Sequence, residues 1–559
     1  MAGDSFAALG RFFFIRALLL LNICHGISAV GATGSLRGNL ILHNGSIHTM
    51  SEAEDVVSVV GIKDGVIVYV GDDQTEALSS FVVAPDIIDL QGRTAVPGLI
   101  DCHNHIVLLG NRPGYHTPLE NAYSVADVQN TYRARAGGVP SGKFITTIGG
   151  FHPNHFTERR LPTLAELDEA VPDHPVFISY GFAGPATTNS LGKAFFDALP
   201  SPPVIGANGS IAFGENNGKA LLALRNQLTF ADRKRGVRDA MAYAASVGVT
   251  THLDQGAFPK TGTPSDGAAN EDLYSMHLPW LSVYDDEAGI VRLRINFLHM
   301  DDSIGAPTVQ QRLLNTFKFF GNDMVRTGGI GEFITTDYAG GPFFTEAATR
   351  VAEAGWRLEV HSLTATDFQS QIQAFEAVDA NSSVVDLRWV VAHVPLITPE
   401  YLQRLKKIGG GVNLSGWQYL AGNGPQAGPP FKDILDSGIP AGIGADGMQI
   451  APLNPWIHAY YAVTGKNALG QEINAGQQLN RLELLRLYTR ANQWFLGGED
   501  EQLLGSIEVG RLGDLVVLNE DYFDVPDETL KNLRSVLTVV GGAVVHNKGT
   551  LAKLGAEGT

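Results

Sequence analysis

The residues of this chain whose spacing could support chemistry are two histidines, His103 and His105, with one residue between them. Alternate residues of a β-strand point to the same face, so a strand over residues 99–105 would place both imidazoles and the Asp101 carboxyl together. Two imidazoles on one face can bind one metal ion. A chance pair of this spacing is expected roughly 0.5 times in such a chain, however, and two histidines hydrogen-bonded inside a buried strand are the structural alternative.

Three further polar residues, His361, His393 and Asp446, also end short apolar runs that are typical of strands. The interval from His361 to His393 matches one β/α unit of a barrel, roughly 31 residues, and the interval from His393 to Asp446 matches two short units. Strand ends meet at the mouth of such a barrel, so four histidines and one aspartate are predicted to converge there. Imidazole and carboxylate ligands favour Zn²⁺ and tolerate Mn²⁺ or Fe²⁺.

The elements that must position these residues alternate between strands and helices over residues 97–500. Eight strand-like segments are predicted: 99–105, 248–253, 292–299, 329–334, 357–361, 388–393, 410–414 and 441–446. Eight such units predict an α/β fold, a (β/α)8 TIM-type barrel with its active site at the carboxyl ends of the strands. The β-rich segments 38–96 and 501–552 flank the barrel and are predicted to pair into one small β-sandwich domain.

A long insertion, residues 106–247, separates the first two predicted strands. Connections of this length are usually binding loops or lids, so we expect it to carry substrate specificity. His152 and His155 within it could stack on a substrate ring or bind a carboxylate, although a plain surface loop explains the same residues. Further candidates for substrate binding follow the predicted strands two, three and seven: His252, His299 and Trp417. The two strand-end histidines are more often structural.

These motifs resemble those of the amidohydrolase superfamily. The segments that carry the resemblance are 97–105 (PGLIDCHNH), 359–362 (EVHS), 390–393 (VVAH) and 444–446 (GAD). The later segment 505–518 is similar to the carboxyl-terminal signature of amidohydrolase family 3, the YtcJ-like proteins, and the resemblance covers roughly residues 38–548.

The resemblance implies a role for each of the five converging residues. His103 and His105 would bind the more buried metal ion, and His361 and His393 would bind or approach a second one. Asp446 would bind metal and also shuttle protons, and His393 or the second ion would polarise the substrate carbonyl. Asp446 and His393 are therefore the predicted catalytic residues, and Zn²⁺ is the expected metal, as one ion or two.

The fourth predicted strand departs from the pattern of many relatives, which place a carboxylated lysine there to bridge two metals. The segment 327–333 has no lysine, and Glu332 stands near the expected place. A native carboxylate offers the same two-oxygen geometry, so Glu332 could bridge the metals. Alternatively, Glu332 only forms a salt bridge nearby, and the site holds one metal.

The residues predict a metal-bound hydroxide as the nucleophile, and the resemblance implies that it hydrolyses a carbon–nitrogen bond. The substrate would be a small molecule with a non-peptide amide or cyclic amide. Two alternatives stay open: a metal-dependent decarboxylase, dehydratase or isomerase on the same scaffold, and a non-catalytic binding relative. Loss of metal ligands would be expected in a non-catalytic relative, and all five expected ligands are present.

Composition restricts the partners and the compartment. The formal charge of −18 over 559 residues disfavours nucleic acid. Residues 1–31 resemble a secretory signal peptide, which predicts a secreted glycoprotein with no stable membrane partner after cleavage. An uncleaved membrane anchor is the alternative, and homo-oligomerisation is left open. Glycosylation sequons occur at Asn44, Asn208, Asn381 and Asn413.

Overall fold

The computed structural model describes residues 36–181, 183–257, 273–421, 428–448 and 450–554. The predicted signal peptide lies outside these ranges. Across the ranges described, no helix has both the length and the apolar character needed to cross a membrane.

The amino-terminal segment consists mainly of short strands. Its elements are β1 (Leu40–His43), β2 (Ser46–His48), β3 (Val56–Val57), β4 (Val59–Lys63), β5 (Val66–Gly71), α1 (Gln74–Ser79), β6 (Asp86–Asp89) and β7 (Thr94–Pro97). The next strand, β8 (Leu99–Asn104), carries His103 and leads directly into the insertion.

The insertion folds into an α/β unit of its own, which is more ordered than the loop or lid expected from its length. Its elements are α2 (Ile106–Gly110), β9 (Tyr115–His116), α3 (Val125–Ala136), β10 (Ile145–Ile148), α4 (Leu164–Ala170), β11 (Val176–Ser179), β12 (Ala186–Thr188), α5 (Ser190–Asp197), β13 (Ser210–Ile211), α6 (Glu215–Arg225) and α7 (Phe230–Val247). The strands form one mixed sheet in the order β13-β12-β11-β10-β9. Two separate apolar clusters lie within this unit, and burial of that surface explains its order.

Strands and helices alternate after the insertion. The elements are β14 (Val249–Asp254), α8 (Leu273–Asp285), β15 (Arg292–Phe297), α9 (Pro307–Asn315), β16 (Val325–Ile330), α10 (Pro342–Glu353), β17 (Glu359–Ser362), α11 (Ala365–Asp379), β18 (Val390–His393), α12 (Pro399–Lys407), β19 (Gly411–Leu414), α13 (Gln418–Ala421), α14 (Phe431–Ser437), β20 (Ala441–Ile443), α15 (Pro455–Thr464), α16 (Arg481–Tyr488), α17 (Gln493–Leu496) and α18 (Asp500–Leu503). Local signals define these boundaries: Gly248, at φ 90°, ends α7 in the left-handed conformation and allows β14 to begin at Val249.

Eight strands, β8 and β14 to β20, form two parallel four-stranded sheets, in the orders β16-β15-β14-β8 and β17-β18-β19-β20. Backbone contacts connect the two sheets at both edges. Ile330 and Leu358 form a parallel bridge between β16 and the start of β17. At the other edge, the Asp446 N–H donates to the His103 carbonyl over 2.8 Å. Side chains of these strands and of the helices that connect them pack in one apolar cluster, the largest among the described residues.

The carboxyl-terminal strands return to the amino-terminal ones. The elements are β21 (Leu515–Leu518), α19 (Asp527–Leu530), β22 (Ser535–Val540), β23 (Ala543–Asn547) and β24 (Lys553–Leu554). One sheet has the order β24-β6-β1-β4-β5 and the other β23-β22-β21-β7-β2-β3, so each contains strands from both chain ends. A single apolar cluster includes side chains from both sheets, among them Leu42 and Val517.

Candidate metal centre

Six polar side chains meet at the carboxyl ends of the eight parallel strands. They form two groups whose possible ligand atoms lie within 4.8 Å of one another: His103, His105, Glu332 and Asp446 in the first, and Glu332, His361 and His393 in the second. All six are the residues for which metal binding was predicted. They come from the ends of five strands, with His103 and His105 both at the end of β8, so their meeting depends on the parallel arrangement of the sheets.

The first group surrounds a small space with two imidazoles and two carboxylates. His105 Nε2 lies 3.2 Å from Glu332 Oε1 and 3.3 Å from Asp446 Oδ1. His103 Nε2 is 3.6 Å from Glu332 Oε2 and 3.8 Å from Asp446 Oδ1. His103 Nε2 is buried and has no hydrogen-bond partner among the described residues. This donor set fits a divalent transition metal such as Zn²⁺.

The second group uses the other oxygen of the same glutamate. Glu332 Oε2 is 2.9 Å from His361 Nδ1 and 3.3 Å from His393 Nε2. Glu332 Oε1 therefore faces His105, whereas Oε2 faces His361 and His393 and also lies 3.6 Å from His103 Nε2. The carboxylate contacts both groups, as a bridging ligand must. His393 also approaches Asp446, with Nδ1 3.9 Å from Oδ2.

A buried carboxylate, Glu359, orients the first histidine. His103 Nδ1 donates to Glu359 Oε1 over 2.6 Å, and Arg357 Nη2 and Asn413 Nδ2 donate to the same carboxylate over 2.5 Å and 3.2 Å. With Nδ1 protonated, the lone pair of His103 Nε2 is directed at the first group. His105 is fixed in the same way, because its Nδ1 donates to the Gly256 carbonyl over 2.7 Å.

The position of Asp446 depends on close contact between β20 and β8. A Cβ on Gly444 would lie 2.5 Å from the backbone nitrogen of His103, so only glycine permits this approach. Asp101 Oδ1 accepts from the N–H groups of Ala445 and His103 over 3.0 Å and 3.2 Å. Burial raises the pKa of Asp101 to about 7, although these two amides act in the opposite direction. Asp101 thus connects the strand ends and does not belong to either ligand group.

The charges of the site suit cation binding. Burial alone would raise the pKa of Glu332, but His361 and the hydrogen bonds from His105, His361 and His393 hold it well below the usual glutamate value. Burial alone would also raise the pKa of Asp446, but His393 and the hydrogen bond from His105 hold it below the usual aspartate value. Burial lowers the pKa of His393, which favours the neutral imidazole that a metal requires. Burial alone would lower the pKa values of His103 and His105, but the carboxylates around them raise both above the usual histidine value. A metal ion that binds here would therefore displace protons from these two imidazoles.

The residues predicted to bind substrate lie in different settings. The Trp417 ring is 6.5 Å from that of His393, beside the second group. The buried His155 ring is 5.0 Å from Tyr419, and His152 contacts Tyr180 at 4.8 Å. His252 Nδ1 accepts from Asn104 Nδ2 over 3.0 Å, and His299 Nδ1 is 2.9 Å from Thr308 Oγ1. Such hydrogen bonds are expected if His252 and His299 have a structural role. Substrate binding by all five residues stays a prediction.

Glu359 stands within the segment EVHS but is not among the predicted site residues. The spacing between Glu359 and His361 could have indicated it, because residues two apart on a strand point to the same side. Its contact with His103, 256 positions away, follows only from the order of the strands.

We expect Glu359→Gln to weaken zinc binding about 10- to 100-fold, because a neutral amide no longer fixes the His103 tautomer. Competition with a chromogenic chelator measures the affinity. Glu376→Gln is the matched control, since Glu376 is bound to Arg404 on the outer helices. An affinity equal to that of the wild type would show that Glu359 does not orient His103.

The chain is similar to a known protein family and to individual known proteins. A family model described as Amidohydrolase family matches residues 86–546. The N-substituted formamide deformylase of Arthrobacter pascens is 23% identical and aligns over 91% of this chain and 98% of its own length. YtcJ of Bacillus subtilis (strain 168), whose name assigns it to the amidohydrolases, is 22% identical over 91% and 99% of the two chains.

Solved structures show the same fold at low sequence identity. An uncharacterized metal-dependent hydrolase from Pyrococcus horikoshii OT3 superposes with a TM-score of 0.58 at 16% identity, covering 88% of this chain and 99% of that one. Atrazine chlorohydrolase from Arthrobacter aurescens TC1, complexed with zinc, superposes with a TM-score of 0.53 at 18% identity, covering 91% and 95%.

Proposed function

Because the chain belongs to the amidohydrolase family, we propose that it is a metal-dependent hydrolase that cleaves a carbon–nitrogen bond of a small molecule. A non-peptide amide or a cyclic amide is the proposed substrate class. The observation that carries this proposal is the pair of ligand groups that share Glu332. A non-catalytic relative would have no reason to keep both groups complete.

The residues suggest how the reaction would proceed. His103, His105, Glu332 and Asp446 would hold one divalent metal, and Glu332, His361 and His393 a second. When bound, such an ion supplies Lewis acidity and lowers the pKa of a water molecule towards neutrality. Asp446 would take a proton from the attacking water and return it to the leaving nitrogen. His393 lies between the two carboxylates and would help to orient the substrate carbonyl for attack.

We propose that the eight parallel strands form one closed (β/α)8 barrel. The bridge between Ile330 and Leu358 and the hydrogen bond from Asp446 to His103 support closure at the two edges. We also propose that the two sheets built from the chain ends form a β-sandwich, which their shared apolar cluster supports.

Secretion and glycosylation also remain proposals, based on residues 1–31 and the sequons. Asn44, Asn208 and Asn381 are exposed and could accept a glycan. Asn413 is 1% exposed and bonded to Glu359, so its sequon is inaccessible in the folded chain.

Homo-oligomerisation is tested by light scattering on the purified chain.

The reaction type is tested with zinc-loaded protein in H₂¹⁸O. The amides to be screened include N-substituted formamides, suggested by the name of the Arthrobacter pascens relative, and cyclic amides. Hydrolysis incorporates one labelled oxygen into the carboxyl product, and mass spectrometry detects it. Product without label would indicate a decarboxylase or isomerase instead, and no turnover of any amide would contradict the proposal.

A further inference from the structure

A carboxylate of the insertion, Glu120, contacts the chain segment that follows Asp446. It is 1% exposed and accepts hydrogen bonds from two consecutive backbone amides, those of Leu453 (2.5 Å) and Asn454 (3.0 Å). The hydroxyl of Tyr243, on α7, donates to the same carboxylate. Burial raises the pKa of Glu120 to about 7, although Tyr243 and the two amides act in the opposite direction. Charge-assisted hydrogen bonds are roughly twice as strong as neutral ones, so the contact is strongest when this carboxyl group is ionised.

Neighbouring residues of the insertion reinforce the contact. Asn454 Nδ2 donates to Asn121 Oδ1 over 2.8 Å. Arg112 Nη2 donates to the Met448 carbonyl over 3.4 Å. A Cβ on Gly150 would lie 2.8 Å from Met448 Cγ, so Met448 packs directly on that glycine.

The segment is also fixed to the parallel sheets. His105 N–H donates to the Gly447 carbonyl over 2.5 Å, one residue after Asp446. His458 Nε2, on α15, donates to the Pro452 carbonyl over 2.7 Å, and its Nδ1 accepts from Gly416 N–H over 3.1 Å. The carbonyl groups of Gly447 and Pro452 are therefore held by hydrogen bonds, so a change at Leu453 and Asn454 would act on backbone that leads back to Asp446.

We propose that Glu120 is a positioning residue for the reaction, and that through Leu453 and Asn454 it holds the backbone that places Asp446 in the first ligand group. The insertion would then position a catalytic residue, in addition to its expected role in substrate specificity. This inference rests on the proposed function, because it assumes that Asp446 transfers the proton. A displacement of about 1 Å at a reacting group can cost about 10²-fold in rate, so a contact outside the metal centre can affect turnover strongly.

The test replaces Glu120 with glutamine in the full, zinc-loaded chain. Glutamine has nearly the same shape but only one acceptor oxygen, so one of the two backbone amides loses its partner. We expect kcat to fall about 10- to 100-fold with KM changed less than about 2-fold, and the zinc content to stay at the wild-type value. Hydrogen–deuterium exchange of the peptide containing Leu453 and Asn454 should accelerate at least about 10-fold, since opening of the segment becomes easier.

Asp168→Asn is the matched control. Asp168 is also a carboxylate of the insertion that accepts a backbone N–H, that of Ser190 at 2.9 Å, but this bond stays within the insertion. The control should change neither kcat nor the exchange of the Leu453 peptide. If Glu120→Gln does not fold, Asn121→Ala removes the neighbouring contact to Asn454 and should produce the same two effects at smaller size.

Two outcomes would overturn the inference: an exchange rate equal to that of the wild type, or faster exchange with unchanged kcat. Failure of the proposed function is seen separately, as a wild-type chain that turns over no amide. In that case the exchange measurement still tests the contact itself. The visible spectrum of the cobalt-substituted protein then reports whether the ligand field, to which Asp446 contributes, changes in Glu120→Gln.

Discussion

Replacing Asp446 with asparagine is expected to lower kcat by about 10²- to 10⁴-fold while the fold stays intact. Asparagine has the same size and can keep the contact to His105 Nε2, now 3.3 Å from Oδ1. It cannot accept a proton from the attacking water or return it to the leaving nitrogen. The loss should therefore affect the chemical step and not the stability of the chain.

Steady-state kinetics on an amide that the wild type hydrolyses measures this loss, and circular dichroism with thermal unfolding checks the fold. Asp436→Asn is the control, because Asp436 pairs with Lys432 on the outer surface and has no contact with either ligand group. An Asp446→Asn protein with wild-type kcat and bound metal would show that another group transfers the proton.

Replacing Glu332 with glutamine is expected to reduce the bound zinc from two ions to one or none. Glutamine is uncharged and has a single oxygen. It therefore cannot provide one oxygen to a metal beside His105 and another to a metal beside His361 and His393. We also expect kcat/KM to fall about 10²- to 10³-fold, as after loss of one group that stabilises the transition state.

The metal content of gel-filtered protein, measured by plasma mass spectrometry, tests this expectation. Glu346→Gln is the control, since Glu346 pairs with Arg350 along α10 and belongs to neither ligand group. Two zinc ions in Glu332→Gln would exclude the bridge. A wild-type chain with one zinc ion would support the alternative that Glu332 forms salt bridges beside a mononuclear site.

The ligand residues could be predicted from the sequence because their signals are local. His103, His105, His361, His393 and Asp446 each follow a short apolar run, and parallel strands bring such ends together. Because the fourth strand has no lysine, Glu332 is predicted either to bridge two metals or to form a salt bridge beside one, and the structure brings its carboxylate within reach of both ligand groups. Membership of amidohydrolase family 3 is confirmed by the family match and by the similarity to YtcJ.

Contacts between distant parts of the chain could not be predicted in this way. The hydrogen bond from His103 to Glu359 and those from Leu453 and Asn454 to Glu120 join residues that are hundreds of positions apart. No periodicity in one segment indicates its partner in another. The sheet within the insertion was missed for a related reason, since its strands are two to four residues long and their pairing, not their composition, defines them.

The most direct test of the metal centre is a crystal structure of the zinc-loaded wild type with anomalous data at the zinc edge. We expect two peaks about 3.5–4 Å apart, one beside His103 and His105 and one beside His361 and His393, with Glu332 between them. A single peak would contradict the bridging role of Glu332. Bound zinc with no peak at either ligand group would contradict the assignment of this site as the metal centre.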